Sequence, residues 1–247
     1  MRNDCIDSET VKIGRREYTI KVYPDEGTES PLENDEGVFI TCDKGARSQY
    51  GNTPVDEDEH LRIARRIEEF GNPPSAIELA NALREDPEEE PLGEPLIGLS
   101  VYVYEHSGVA ISTRPWNGRA QHAEWDSGQS GFIYITKKTA LDWQGGKRLT
   151  KAKLDRAYKS LESVVDEYGK WCNGECYFYT VEDENGDTID DLGCGGYIGW
   201  DYMIEEARNS VKHHHEWRVK EACKKRIAVA KERVERMFWQ ARDVVTA

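Results

Sequence analysis

Three features of the sequence predict an α+β fold with a largely antiparallel sheet, packed amphipathic helices and a long C-terminal helix. Short stretches alternate apolar and polar residues with period two, and turn-forming residues separate them. Elsewhere apolar residues recur at helical spacing, over 61–70, 76–83 and 154–168. Beyond Tyr202 a helical pattern continues to the C-terminal region.

Taken in order, Glu17-Tyr18-Thr19-Ile20-Lys21-Val22-Tyr23 alternates and is rich in β-branched and aromatic residues, and Pro24-Asp25-Glu26-Gly27 stops it. Glu29 to Gly37 reads as a polar loop, Val38 to Cys42 as a second strand, and residues 43–58 as loop. Leu61, Ala64, Ile67 and Phe70 share a helical face. Ser75 and Glu78 then form a capping box ahead of Ala76, Leu79, Ala80 and Leu83. The glutamates and prolines of 85–94 mark a linker or surface loop. Leu96 to Tyr104 is apolar enough for a central strand, and a tight turn at His106-Ser107-Gly108 pairs it with Val109 to Thr113.

After a loop over 114–124, the polar stretch Trp125 to Gly131 reads as a turn opening onto the strand Phe132 to Thr136. Thr150 caps a helix lined by Leu154, Ala157, Tyr158, Leu161, Val165 and Tyr168, with Gly169 as its stop. Cys176 to Glu182, Asn185-Gly186 and Thr188-Ile189 predict a hairpin with a type I′ turn. Gly193 to Gly196 reads as a bulged or tight connection. The C-terminal helix is expected to break near His213-His214-His215. The expected domains are a core of residues 1–203, with a helical insertion over about 54–92, and a helical extension of 204–247.

Composition narrows the function classes. The chain has 247 residues and a net charge of -14. Residues 1–96 hold 24 acidic and 11 basic side chains, residues 97–203 hold 16 and 11, and residues 204–247 hold 7 and 11. The acid therefore sits in the first part and the tail is basic. Such a field disfavours direct nucleic-acid binding over most of the surface and favours basic protein partners. No segment approaches the roughly 18 apolar residues of a membrane span, and the start lacks the apolar run of a secretory signal, so a cytoplasmic protein is expected. Six scattered cysteines suit a reducing compartment.

The candidate binding residues are His106, Ser107, Trp125, Asp126, Ser127 and Gln129, because the two polar stretches that hold them are expected to meet. They contain the residue types of a Ser-His-Asp hydrolase without its Gly-x-Ser-x-Gly elbow. Alternatively, Asp126 caps an Asx-turn, Gln129 braces a loop and Trp125 covers the core edge. Cys172, Cys176 and Cys194 lack the second cysteine pair of a zinc knuckle, so neither metal nor cofactor is expected. In the tail, Cys223, Ile227, Ala230, Val234, Met237, Ala241 and Val244 are spaced alternately four and three, a seam that either packs on its own domain or associates with a second copy or partner helix.

The pieces Glu29-Ser30-Pro31 with Asn34-Asp35 and Gly37, Tyr104 to Gly108, Trp125 to Tyr134, and Tyr179 to Gly199 resemble a family of uncharacterised proteins of bacteriophages and other mobile elements. The resemblance spans roughly residues 18–200 and centres on Trp125-Asp126-Ser127-Gly128-Gln129. The loop Glu33-Asn34-Asp35-Glu36 departs from the family's pattern. The resemblance implies a phage-type setting and no particular chemistry. The expected function is a non-enzymatic acidic interaction protein, bound to a basic host factor of defence or nucleic-acid handling, or to itself through the tail. The alternative is a small-ligand module or hydrolase at His106 and Asp126.

Overall fold

The computed structural model describes residues 4–43, 50–68 and 94–245; the side chains of Asp43, Glu68 and residues 240–245 lie outside that description. The elements in chain order begin with β1 (Asp7–Ile13), β2 (Arg16–Pro24), α1 (Pro31–Asn34), β3 (Phe39–Asp43), β4 (Thr53–Val55) and α2 (Glu57–Glu68). Next come β5 (Leu96–Glu105), β6 (Val109–Ser112), α3 (Ala123–Asp126), β7 (Ser127–Thr136), α4 (Lys137–Gln144) and α5 (Lys151–Cys172). The chain continues through β8 (Cys176–Glu182) and β9 (Cys194–Ile198) into α6 (Trp200–Val245). The class is α+β, as expected, with antiparallel-dominated sheets.

The chain forms two compact units, Gly27–Cys176 and the two ends, Met1–Glu26 with Tyr177–Ala247. This differs from the boundary expected at residue 203, because β2 pairs with β8 and so ties the N-terminal strands to the chain after Tyr177.

In the Gly27–Cys176 unit the strand order is β4-β3-β7-β5-β6. Every pair is antiparallel except β3 with β4. Helices cover both faces: Ile133 and Ile135 of β7 bury against Leu161 and Val165 of α5, whereas Phe132 buries with Ile63, Ala64 and Ile67 of α2. That explains the near-continuous apolar run of β5, buried from Leu96 to Gly98 and again from Ser100 to Val103. Gly98 is required where β5 runs beside β7, since a Cβ there would meet the Ile133 carbonyl oxygen at 2.8 Å as well as Ile67 Cδ1 of α2 at 2.7 Å.

In the other unit, the sheet β1-β2-β8-β9 buries Tyr18, Ile20, Val22, Tyr179 and Val181 against the first turns of α6. Met203, Ala207 and Val211 supply the helix side of that core. Arg208 grips Glu9 of β1 through two bonds of 2.8 and 2.7 Å.

Several expectations are corrected. Residues 43–58 are not all loop: β4 and the start of α2 lie there, and the part of the expected insertion that is described belongs to the core. The second expected helix, over 75–83, lies outside the described residues. Gly169 does not end α5; it sits inside the helix, where an added Cβ would lie 3.5 Å from Ile111 Cβ, and Asn173 is the C-cap. The Asn185-Gly186 turn is not type I′, since only Gly186 has positive φ; Asp183 closes it by accepting from the Asn185 N–H at 2.8 Å. Gly193 to Gly196 feeds into β9 rather than forming only a connection. Finally, α6 passes through His213-His214-His215 without a break.

Candidate functional site

Pairing of β5 with β7 sets Tyr104 opposite Ser127, which brings the β5–β6 turn beside the end of α3. His106 Nδ1 and Asp126 Oδ2 are 3.0 Å apart, with the imidazole 58% and the carboxylate 28% exposed. A proton on Nδ1 makes the ring the donor and leaves Nε2 as an acceptor toward solvent. The turn itself is tight: Gly108 N–H donates to His106 O at 3.0 Å across Ser107, whose φ of 65° is strained for a residue with a Cβ.

An aromatic cluster that sequence reasoning missed surrounds the pair. The Tyr104 ring stacks beside His106 at 6.2 Å, Trp116 lies 5.8 Å from Tyr104, and the Arg119 guanidinium sits 4.5 Å over Trp116. Tyr104 also donates to Gln121 O at 3.0 Å, so the loop over 114–122 is pinned across the strand end. Its spacing carries no periodic signal, which is why the cluster was invisible in the sequence.

The remaining predicted residues divide. Ser127 donates to Ala123 O at 2.6 Å, so its hydroxyl is engaged in closing α3 rather than directed at His106. Trp125 is 73% exposed and does not cover the core edge. The stretch from Ser127 to Gly131 is strand, not turn, and contains a bulge. Gln129 faces Tyr102 and Gly131 faces Val101, so Ser130 has no opposite residue. The buried Ser130 hydroxyl and Gln129 Nε2 have no hydrogen-bond partner among the described residues. The arrangement therefore offers an oriented imidazole beside aromatic rings but no serine nucleophile bonded to it.

The seam of α6 stands differently. Near the root of the helix, His215 Nδ1 lies 3.1 Å from the hydroxyl of the fully buried Tyr18. Burial, then the nearby Arg218, holds His214 below the usual histidine range. Beyond that point Cys223, Ile227, Ala230, Val234 and Met237 are exposed, together with Trp217, Val229, Phe238 and Trp239. The seam does not pack on its own unit; Ala241 and Val244 lie outside the described side chains. The chain matches no family model, no curated protein and no solved structure.

Other chemistry is sparse. Burial pushes the Cys172 thiol up to about 11, Cys176 is buried and Cys194 exposed, and among the described residues no group of His, Cys, Asp and Glu is arranged to hold a metal ion. Also among them, no helix is long and apolar enough to cross a membrane. A cavity of about 450 Å³ beside the start of α5 is lined by Lys137, Lys147, Arg148 and Lys151, a basic recess in an acidic chain.

Proposed function

We propose that this is a non-enzymatic interaction protein that docks a protein partner through the distal half of α6. The observation that carries the reading is the exposure of that half: Ile227, Val234 and Met237 are 52%, 65% and 60% exposed along one continuous helix. Contiguous apolar stripes of this kind mark interaction sites. The net charge of -14 supports the companion proposal that the acidic remainder suits a basic host factor, in the phage-type setting suggested by the sequence resemblance. Affinity capture from a prokaryotic lysate, comparing the wild type with Val234→Glu/Met237→Glu, tests it. Proteins retained by the wild type and lost by the variant support the reading, and identical sets on both refute it.

One observation favours a second reading. The bond between His106 and Asp126, beside Tyr104 and Trp116, suits a small ligand with an aromatic or anionic group. Titration of the His106 ring by NMR with and without candidate ligands tests it, and unchanged shifts throughout would remove it.

A further inference from the structure

We infer that the partner of the α6 seam is an acidic, heptad-patterned helix of another protein, and that the charge pattern of the seam excludes a second copy of this chain. The inference rests on the docking reading above and names the partner's chemistry. With Ile227 and Val234 at a and Ala230 and Met237 at d, Lys224 and Lys231 fall at e and Arg226 and Arg233 at g. The four flanks from Lys224 to Arg233 are basic, and the e position after Met237 is Phe238. The acidic residues of the same stretch, Glu221, Glu232 and Glu235, fall at b and f, away from the seam. All four basic flanks are exposed, and among the described residues only Lys224 has a carboxylate partner, Glu221 at 2.7 Å.

Two copies cannot satisfy this pattern. In a parallel pair g faces e, which sets Arg226 against Lys231; in an antiparallel pair g faces g and e faces e, which sets arginine near arginine and lysine near lysine. Core volume argues the same way. Cys223 and Ala230 are small for d positions, so two copies would leave thin layers, whereas a partner with leucine opposite them fills the space. A helix with glutamate at e and g meets opposite charge at Lys224, Arg226, Lys231 and Arg233 in either orientation. Duplex DNA would leave the stripe of Ile227, Val234 and Met237 in water. A bilayer surface needs one broad apolar face, and here Val229 and Trp239 lie at c and f, across the helix from the seam.

The test titrates the full chain with labelled peptides about four heptads long, followed by fluorescence anisotropy at low and high salt. One peptide has Ile at a, Leu at d and Glu at e and g; a second has Lys at e and g; a third scrambles the acidic sequence. The acidic heptad peptide is expected to bind about tenfold or more tighter than either of the others and to weaken with salt. Replacing Lys224, Arg226, Lys231 and Arg233 by Glu is expected to reverse the preference toward the Lys peptide. The four positions are exposed, and circular dichroism checks the fold; should that variant not fold, the peptide comparison on the wild type still decides. Equal binding of the acidic and Lys peptides overturns the inference, as does displacement of the acidic peptide by a DNA duplex or by phosphatidylglycerol vesicles. A wild type that sediments as a dimer, lost in Val234→Glu/Met237→Glu, overturns it in favour of a second copy. If lysate capture depends on Val234 and Met237 but no peptide binds, the partner chemistry is wrong and the docking reading stands. Capture indifferent to those substitutions removes the docking reading itself.

Discussion

Deleting residues 217–247 is expected to leave both folded units intact. The segment includes Trp217, Val219, Ile227, Val229, Val234, Met237, Phe238 and Trp239, which are between 51% and 65% exposed. If even four of these were instead buried on the chain's own body, each would contribute about 1.5–3 kcal/mol, or about 6–12 kcal/mol together. That is comparable with the whole stability of a domain, roughly 5–15 kcal/mol, so the shortened chain would not fold. With the exposure observed, the loss is expected to stay within about 0.5 kcal/mol, which moves Tm by less than about 4 °C. The root of the helix supplies the contrast: Val211 is fully buried, and Val211→Asp places a carboxylate among Tyr18, Ile20 and Val181, at a cost of about 3–5 kcal/mol. Thermal melts followed by circular dichroism on both variants are the assay. Loss of the cooperative transition in the deletion, or its retention unchanged in Val211→Asp, would refute the reasoning.

Tyr18→Phe removes the bond to His215 and is expected to cost about 1 kcal/mol in chemical denaturation, with the fold retained. The depressed pKa of His214 makes the unfolded chain bind its proton more tightly. Its contribution is therefore complete above the unfolded value of about 6.5 and is lost as pH falls from there through the folded value, so melting temperatures should drop across that window less steeply in His214→Gln. Gly131→Ala drives a methyl into Thr41, whose carbonyl oxygen would lie 2.6 Å away, and is expected to cost about 1–3 kcal/mol by prying β3 from β7. Asp126→Asn is expected to shift the His106 ring resonances in NMR while changing stability by less than about 0.5 kcal/mol, because the pair is solvent-exposed.

What could be read from the sequence follows its periodicity. Tyr18, Ile20 and Val22 alternate, and β2 buries those three. The face of α5 that was expected to be apolar includes the buried Ala157, Leu161, Val165 and Tyr168. The meeting of His106 with Asp126 was legible because a tight turn and a strand start bracket two paired strands. Elements held by long-range pairing were not. The strand β1, with only Val11 and Ile13 apolar near its end, exists because β2 offers it an edge. The bulge at Ser130 made a strand look like a turn, since Ser-Gly-Gln-Ser-Gly satisfies turn chemistry as well as it satisfies a bulged strand. Gly169 looked like a helix stop because glycine is the usual C-cap residue, yet it lies in the helix interior, where an added Cβ would make only ordinary contact with Ile111.

One helix, α6, is anchored at its root and bare beyond it because its apolar positions change face along its length. At about 100° per residue, Met203, Ile204, Ala207 and Val211 fall within one stripe, and His214 and His215, which pack on Tyr18, extend it. Cys223 lies twelve residues after Val211, which turns it about 120° away from that stripe, and Ile227, Ala230 and Val234 remain on its side. The seam therefore does not continue the anchored face; it looks nearly away from the sheet that holds the root. Lengthening β1 or β2 could not cover it without unwinding the helix. The change of direction coincides with the change of charge, since residues 217–239 hold eight basic and three acidic side chains in a chain of net charge -14. A stripe left over from core packing would keep the core's direction and need no basic border. This one has turned away from the core and gained such a border, which is what a surface for an acidic partner requires.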